Sequence, residues 1–452
     1  MRARTHVAAG FLALFLGLTP SALATTASPS PSPSPSEDPA PAIVYESDVD
    51  PDVVPMFKGV EMLDDDVLAA SMDYVIRANT YASDTRISQA LADAKASSSE
   101  SVYVVNGLGK DLAGYYQRGS EGGSLPLTTG LIAQVNLGEG EGVTPAWDSL
   151  GKVAETYQIA SPLTTHAEQL NALGDGEQAE FSFTSHGAFL AYEEALVLAT
   201  MLPEVGPQII ASGADVAESQ IVLGVSSPID VIGARALATR TVAARWSDED
   251  FRVSLYAARD ELRSYLAQYC EAELGNADLA SCLTSQVDSG RNASTDQAVA
   301  ASRFALTYGL PATGDTTVTV TIPPGAENLI LTAFPDLSAS QRRAILEQTA
   351  LKSGYPLDLS GKLARGGDVG WTRLDLAVAM ASLPQVNADG SVTVSRHELE
   401  IEIGDPTQNP EPDANGWSIG AVFDQPALWT VLVGFGAIGA VVLVSVRRRR
   451  KP

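Results

Sequence analysis

The chain has 452 residues, 45% of them apolar, which excludes global disorder and leaves enough chain for roughly two or three domains. Its 29 Lys and Arg against 55 Asp and Glu give a formal charge of −26, which argues against nucleic acid as a partner. Seven of the cations are terminal (Arg2, Arg4, Arg447, Arg448, Arg449, Arg450 and Lys451), so 22 cations face 55 acids between them, about −33.

Arg2 and Arg4 precede an apolar run from Val7 to Leu18, closed by Pro20 and Ala22-Leu23-Ala24. A basic start, a short apolar run and an A-x-A site predict a signal peptide over residues 1–24. Residues 25–42, with Ser-Pro repeated from Ser28 to Pro35, form a spacer without core residues. Residues 43–310 then carry a helical pattern. Met62 to Ala96 and Gly187 to Leu202 place apolar side chains three and four apart. Asp64-Asp65-Asp66 suits a helix start, where acids complement the positive end of the dipole. Asp248 to Cys270 predicts an amphipathic helix with Leu255, Leu262 and Leu266 on one face. Cys270 and Cys282 are the two cysteines of the chain, and an even pair in an exported protein predicts a disulfide.

Residues 311–404 form an extension in which Thr316 to Ile322, alternating Thr with Val or Ile, predicts a strand. Ser338 to Leu351 predicts a short helix, and Val392–Val394 with Leu399–Ile403 a small sheet. Leu310-Pro311-Ala312-Thr313-Gly314 has the sortase pattern but lies far upstream of the apolar tail, so it is expected to be a turn. Asn387-Ala388-Asp389-Gly390 is also expected to turn, since the other ligands of a calcium loop are missing. Residues 405–426 are a linker rich in Pro, Asn and Asp. Residues 427–446 are uncharged and long enough, at roughly 30 Å, to cross a membrane. The basic tail, 447–452, then stays cytoplasmic and the rest of the chain outside.

Two blocks carry a resemblance. Glu180-Phe-Ser-Phe-Thr-Ser-His-Gly-Ala-Phe-Leu runs on to Met201-Leu-Pro-Glu204, and Glu218-Ser-Gln-Ile-Val-Leu-Gly-Val-Ser-Ser-Pro-Ile-Asp-Val231 follows. Together they resemble the core of the type 2 phosphatidic acid phosphatase and vanadium haloperoxidase superfamily, most nearly the secreted bacterial class A acid phosphatases. The family pattern is K-x6-R-P, then P-S-G-H, then S-R-x5-H-x3-D. Ser185 and Ser219 lie 34 residues apart, a spacing inside the family's usual range. Further segments, Gly325 to Leu329, Ser353 to Asp358 and Gly370 to Leu376, are similar to an extension seen in secreted actinobacterial members. The likeness covers roughly residues 90 to 380 and implies a mainly α helical bundle of the acid phosphatase/haloperoxidase type. A small C-terminal α+β extension and one transmembrane helix would complete it.

In that family one His attacks phosphorus, a second protonates the leaving group, an Asp orients the first, and a Lys and two Arg hold the phosphoryl oxygens. Here Ser219 and Asp230 remain, but Gln220 stands at the Arg position and Ser226 at the nucleophile. Gly187 stands at the general acid, with His186 displaced by one residue, about 100° around a helix. For the first block Lys152 is too far from Ser161-Pro162, and Lys110 with Arg118 has one residue too many between them and Gly119 in place of Pro. His186 is then either an acid, base or ligand, or a residue that packs at a helix start. Asp230 either orients a reacting group or holds the scaffold. Gln220 and Ser226 line either a neutral polar pocket or a filled site. The expectation is a catalytically degenerate, membrane-anchored surface protein with a binding or structural role, its degenerate site comprising Ser185, His186, Gly187, Ser219, Gln220, Ser226 and Asp230. The alternative is an active phosphomonoesterase with displaced catalytic groups. No metal or cofactor is implied, and the partners are the membrane and a surface ligand or protein that the sequence leaves unnamed.

Overall fold

The structure is a computed structural model that describes residues 52–97, 104–137, 146–174, 181–287, 294–361 and 369–395. The segments expected to be a signal peptide, spacer, linker, membrane span and basic tail, and the expected strand Leu399–Ile403, lie outside them. No helix among the described residues is long and apolar enough to cross a membrane.

The chain is mainly helical. In order come α1 (Asp65–Thr80), α2 (Asp84–Ser97), α3 (Lys110–Glu121), α4 (Pro126–Leu137), α5 (Ala146–Tyr157) and the short α6 (Pro162–Thr165). Then follow α7 (His186–Met201), α8 (Gly206–Val222), α9 (Pro228–Arg245) and α10 (Glu249–Ala272). After these come α11 (Leu279–Val287), α12 (Thr295–Phe304), α13 (Ala339–Thr349) and α14 (Leu376–Ala381). A hairpin of β1 (Leu383–Val386) and β2 (Val392–Ser395) ends the described chain.

The central element is α7. Every residue after His186 is buried, because Phe189, Leu190, Tyr192, Leu196, Val197 and Leu198 leave no polar stripe to face water. It packs on α8 and α9, which are themselves buried along most of their length. Local signals set the ends. Pro203 follows α7, and α9 opens with Pro228 inside a capping box formed by Ser227 and Asp230. Around this trio, α10 is amphipathic and buries Leu255, Leu262 and Leu266 against α4 and α7, as its spacing predicts. Cys270 and Cys282 form a disulfide that joins α10 to α11. Acids Asp65 and Asp66 occupy the first turn of α1.

The C-terminal residues add Leu329, Ile330, Leu346, Trp371 and Leu374 to the same core. Ser338 caps α13, matching the predicted helix. The expected strand Thr316–Ile322 does not form. Asp315 draws Thr317 N–H and Oγ1–H into a local bend, Val318 N–H goes to Ser353 Oγ, and Arg343 takes Ile322 O. Thr316 and Thr317 form a turn and the rest has no regular structure, and no strand among the described residues offers it a ladder, so its alternation records half-burial alone. Val392–Val394 is a strand as expected, and its expected partner Leu399–Ile403 lies outside the described residues. Val392–Ser395 pairs with Leu383–Val386, joined through the Asn387–Gly390 turn. Leu310–Gly314 has no regular structure apart from a bend at Gly314, held by Thr313 and Gly314 N–H donating to Gly354 O.

Candidate functional site

Four of the seven singled-out positions come together where the starts of α7 and α9 meet the end of α8. Ser185 is the N-cap of α7 and its Oγ accepts from Ala188 N–H at 3.4 Å. Ser226 Oγ donates to that same Ser185 Oγ at 2.9 Å. The α8–α9 connection folds back so that Val225 and Ser226 N–H both donate to Gln220 O, each at 3.1 Å. Gly224, at φ +72°, supplies the left-handed residue this return needs. Gln220 therefore lies beside Gly187. A Cβ added at Gly187 would sit 2.7 Å from Gln220 Cδ and Nε2. The amide fills the space that a side chain at position 187 would use. All four positions are buried, Gln220 at 9% exposure.

Asp230 is near the cluster but committed to its own helix. Its Oδ2 accepts from Ser227 N–H at 2.5 Å, and its N–H donates to Ser227 Oγ at 3.4 Å. Burial raises its pKa to about 6, against hydrogen bonds from Ser227 and Ser182 that lower it. His186 is the first residue of α7, and burial lowers its pKa to about 4, so the ring is neutral above that.

Ser219, the seventh position, faces away from the cluster. Its Oγ donates to Asp93 Oδ2 at 2.5 Å and accepts from Arg86 Nη1 at 2.7 Å. Arg86 also donates through Nη2 to Asp215 O at 3.2 Å, and Tyr74 Oη to the neighbouring Glu218 Oε1 at 2.6 Å. Burial and the Glu218 carboxylate push the Tyr74 hydroxyl well up, which keeps it a donor. This network, which holds α1 and α2 on α8, is invisible to motif reading. Its one sequence signal is that Arg86, Ala90 and Asp93 fall on one helical face.

The candidates for the first block are dispersed. Lys152 bonds Asp52 at 2.9 Å on the surface, and Arg118 lies 5.7 Å from the centre of the Tyr115 ring. The Ser161-Pro162 segment does reach the third block, since Leu163 N–H donates to Gly224 O at 3.0 Å. Among the described residues no three of His, Cys, Asp and Glu are grouped to hold a metal ion.

His186 and Asp230 make opposite demands on pH. A depressed His pKa contributes stability above its unfolded value of 6.5 and loses it as pH falls toward 4. A raised Asp pKa contributes stability below its unfolded 3.8 and loses it as pH rises through about 6. Between pH 4 and 6 the two cancel. Asp230→Asn should therefore lose stability toward acid faster than the native chain, and His186→Gln should lose it toward neutrality. Each slope should differ by about 1.4 kcal/mol per pH unit. Denaturation midpoints taken from pH 4 to 6.5 measure this, and parallel curves for all three proteins would refute it.

No family model and no curated protein matches the chain.

Proposed function

We propose that the chain is a catalytically degenerate protein of the acid phosphatase type that serves a binding or structural role at the cell surface. The observation that carries this reading is the Gln220 amide occupying the place beside Gly187 where the family's general acid would stand. Three neighbourhoods support the family likeness. Ser185 caps the second block, Ser226 returns to it, and Ser161-Pro162 meets the third block at Gly224.

Phosphoryl transfer depends on positioned cations that face the developing charge. Here Gln220 replaces the Arg, and Lys152 and Arg118 are engaged elsewhere. The buried Arg86 is turned to Ser219 and Asp215 O. A working phosphomonoesterase with displaced ligands would require Arg86 to abandon those partners. Ser226 has Ser185 as its hydroxyl partner rather than a base, so it is a poor nucleophile. The signal peptide at 1–24 and the apolar stretch at 427–446 support an anchored, outward-facing protein whose partners are the membrane and a surface ligand or protein. The charge of −26 disfavours nucleic acid.

Purified full-length chain should hydrolyse p-nitrophenyl phosphate no faster than buffer, and should not bind vanadate. Turnover that disappears in His186→Ala or Asp230→Ala would overturn the reading.

A further inference from the structure

Away from the degenerate site, a cavity lies where α7, α8, α9 and α12 meet residues 374–377. Its volume, counted as space open to the centre of a water molecule, is about 20 Å³. Most of the wall is apolar, with Leu196, Ile210, Ala214 and Leu306 among its residues. The polar remainder is specific. Arg235, 5% exposed, donates from Nη1 to Leu374 O at 3.4 Å and from Nη2 to Thr372 O at 2.7 Å. Its Nε has no hydrogen-bond partner among the described residues, and neither does the Oγ of Ser302, also 5% exposed. Asp375 lines the same cavity, its Oδ1 accepting from Val378 N–H and its Oδ2 standing 3.7 Å from Arg303 Nε. Tyr192 closes one side.

These groups specify their ligand. A guanidinium Nε–H only donates, a carboxylate only accepts, and a hydroxyl does either. An anion entering the cavity would meet Asp375, and a cation would meet Arg235. The volume is enough to hold a water. Buried polar atoms of this kind are normally satisfied, and an internal water usually has about three partners.

We propose that the cavity is a hydration site. One ordered water accepts from Arg235 Nε–H, donates to Asp375 and shares a hydrogen bond with Ser302 Oγ. It thereby joins α9 and α12 to the C-terminal segment, which Arg235 already reaches through two carbonyls.

A crystal structure of the full chain at a resolution that places waters should show one single-atom peak within hydrogen-bond distance of those three groups. Ser302→Val, which removes the hydroxyl and adds bulk, should lose that peak while the surrounding walls keep their positions. In solution, water-proton relaxation dispersion should count one fewer long-lived internal water in the variant. A dry cavity in the native protein overturns the proposal, as does density longer than one atom or an unchanged water count in Ser302→Val.

Discussion

Replacing Arg86 with methionine should destabilise the protein by about 3–5 kcal/mol, the range for breaking a buried charged pair on one side. Arg86 is 1% exposed, and its guanidinium bonds Ser219 Oγ at 2.7 Å and Asp215 O at 3.2 Å. Asp93, 3% exposed, receives the same Ser219 hydroxyl at 2.5 Å and Gln89 Nε2 at 2.6 Å. Removing the cation strands a buried carboxylate without its compensating charge. The loss arises from the stranded partner more than from the bond itself, so Arg86→Met with Asp93→Leu should recover much of it. Urea unfolding of the single and double variants measures both. A single-variant loss under about 1 kcal/mol would mean that the network contributes little.

The second large effect concerns a side chain added at Gly187. Gly187→His would place there the residue that the proposed acid phosphatase likeness expects, yet it should destabilise the chain by about 1–3 kcal/mol, the usual result of overpacking. Glycine inside a helix normally weakens it by about 0.5–1 kcal/mol relative to alanine, so replacing one commonly stabilises. Here the sign reverses, because the new Cβ meets Gln220 Cδ and Nε2 at 2.7 Å. Those atoms end a long side chain, so Gln220 must leave its buried place to relieve the contact. Adding Gln220→Ala should therefore recover at least about 1 kcal/mol in a double-mutant cycle, the scale of coupling between touching residues. Neither variant should hydrolyse a phosphomonoester, since Ser226 and the missing cations are unchanged. If Gly187→His proves as stable as the native chain, Gln220 moves freely and the pocket is open.

These two sites differ in how far the sequence discloses them. The neighbours of Gly187 were legible. The spacing of the two blocks aligned Ser185, Gly187, Gln220 and Ser226, and they do meet in space. What the alignment left open was whether they line a pocket or fill one, because that depends on which way one flexible amide points. The Arg86 network lay beyond sequence reasoning. On α2 the apolar Ile87 and Leu91 suggest the buried face, but Leu91 is 38% exposed while Arg86 and Asp93 are buried. Periodicity assumes that apolar residues face inward. It fails where a neighbouring helix presents polar groups such as Ser219 and Glu218.

The strand expected at Thr316–Ile322 fails for a related reason. Alternating Thr and Val describes a segment with one wet face, and such a segment becomes a strand when a neighbour offers backbone partners. Here the partners at hand are the Ser353 hydroxyl and the Arg343 guanidinium.

What the sequence by itself determined is local or covalent in origin. It includes the helical class, the amphipathic α10, the short helix after Ser338 and the Cys270–Cys282 disulfide. These follow from chain geometry, from hydrogen bonding within a few residues, or from there being two cysteines to pair. Only the tertiary structure decided that Gln220 fills the space beside Gly187, that Arg86 serves Ser219, and that Arg235 and Ser302 open onto one cavity. Each of these joins residues from separate helices, and no pattern along one chain encodes which polar group its distant neighbour will offer.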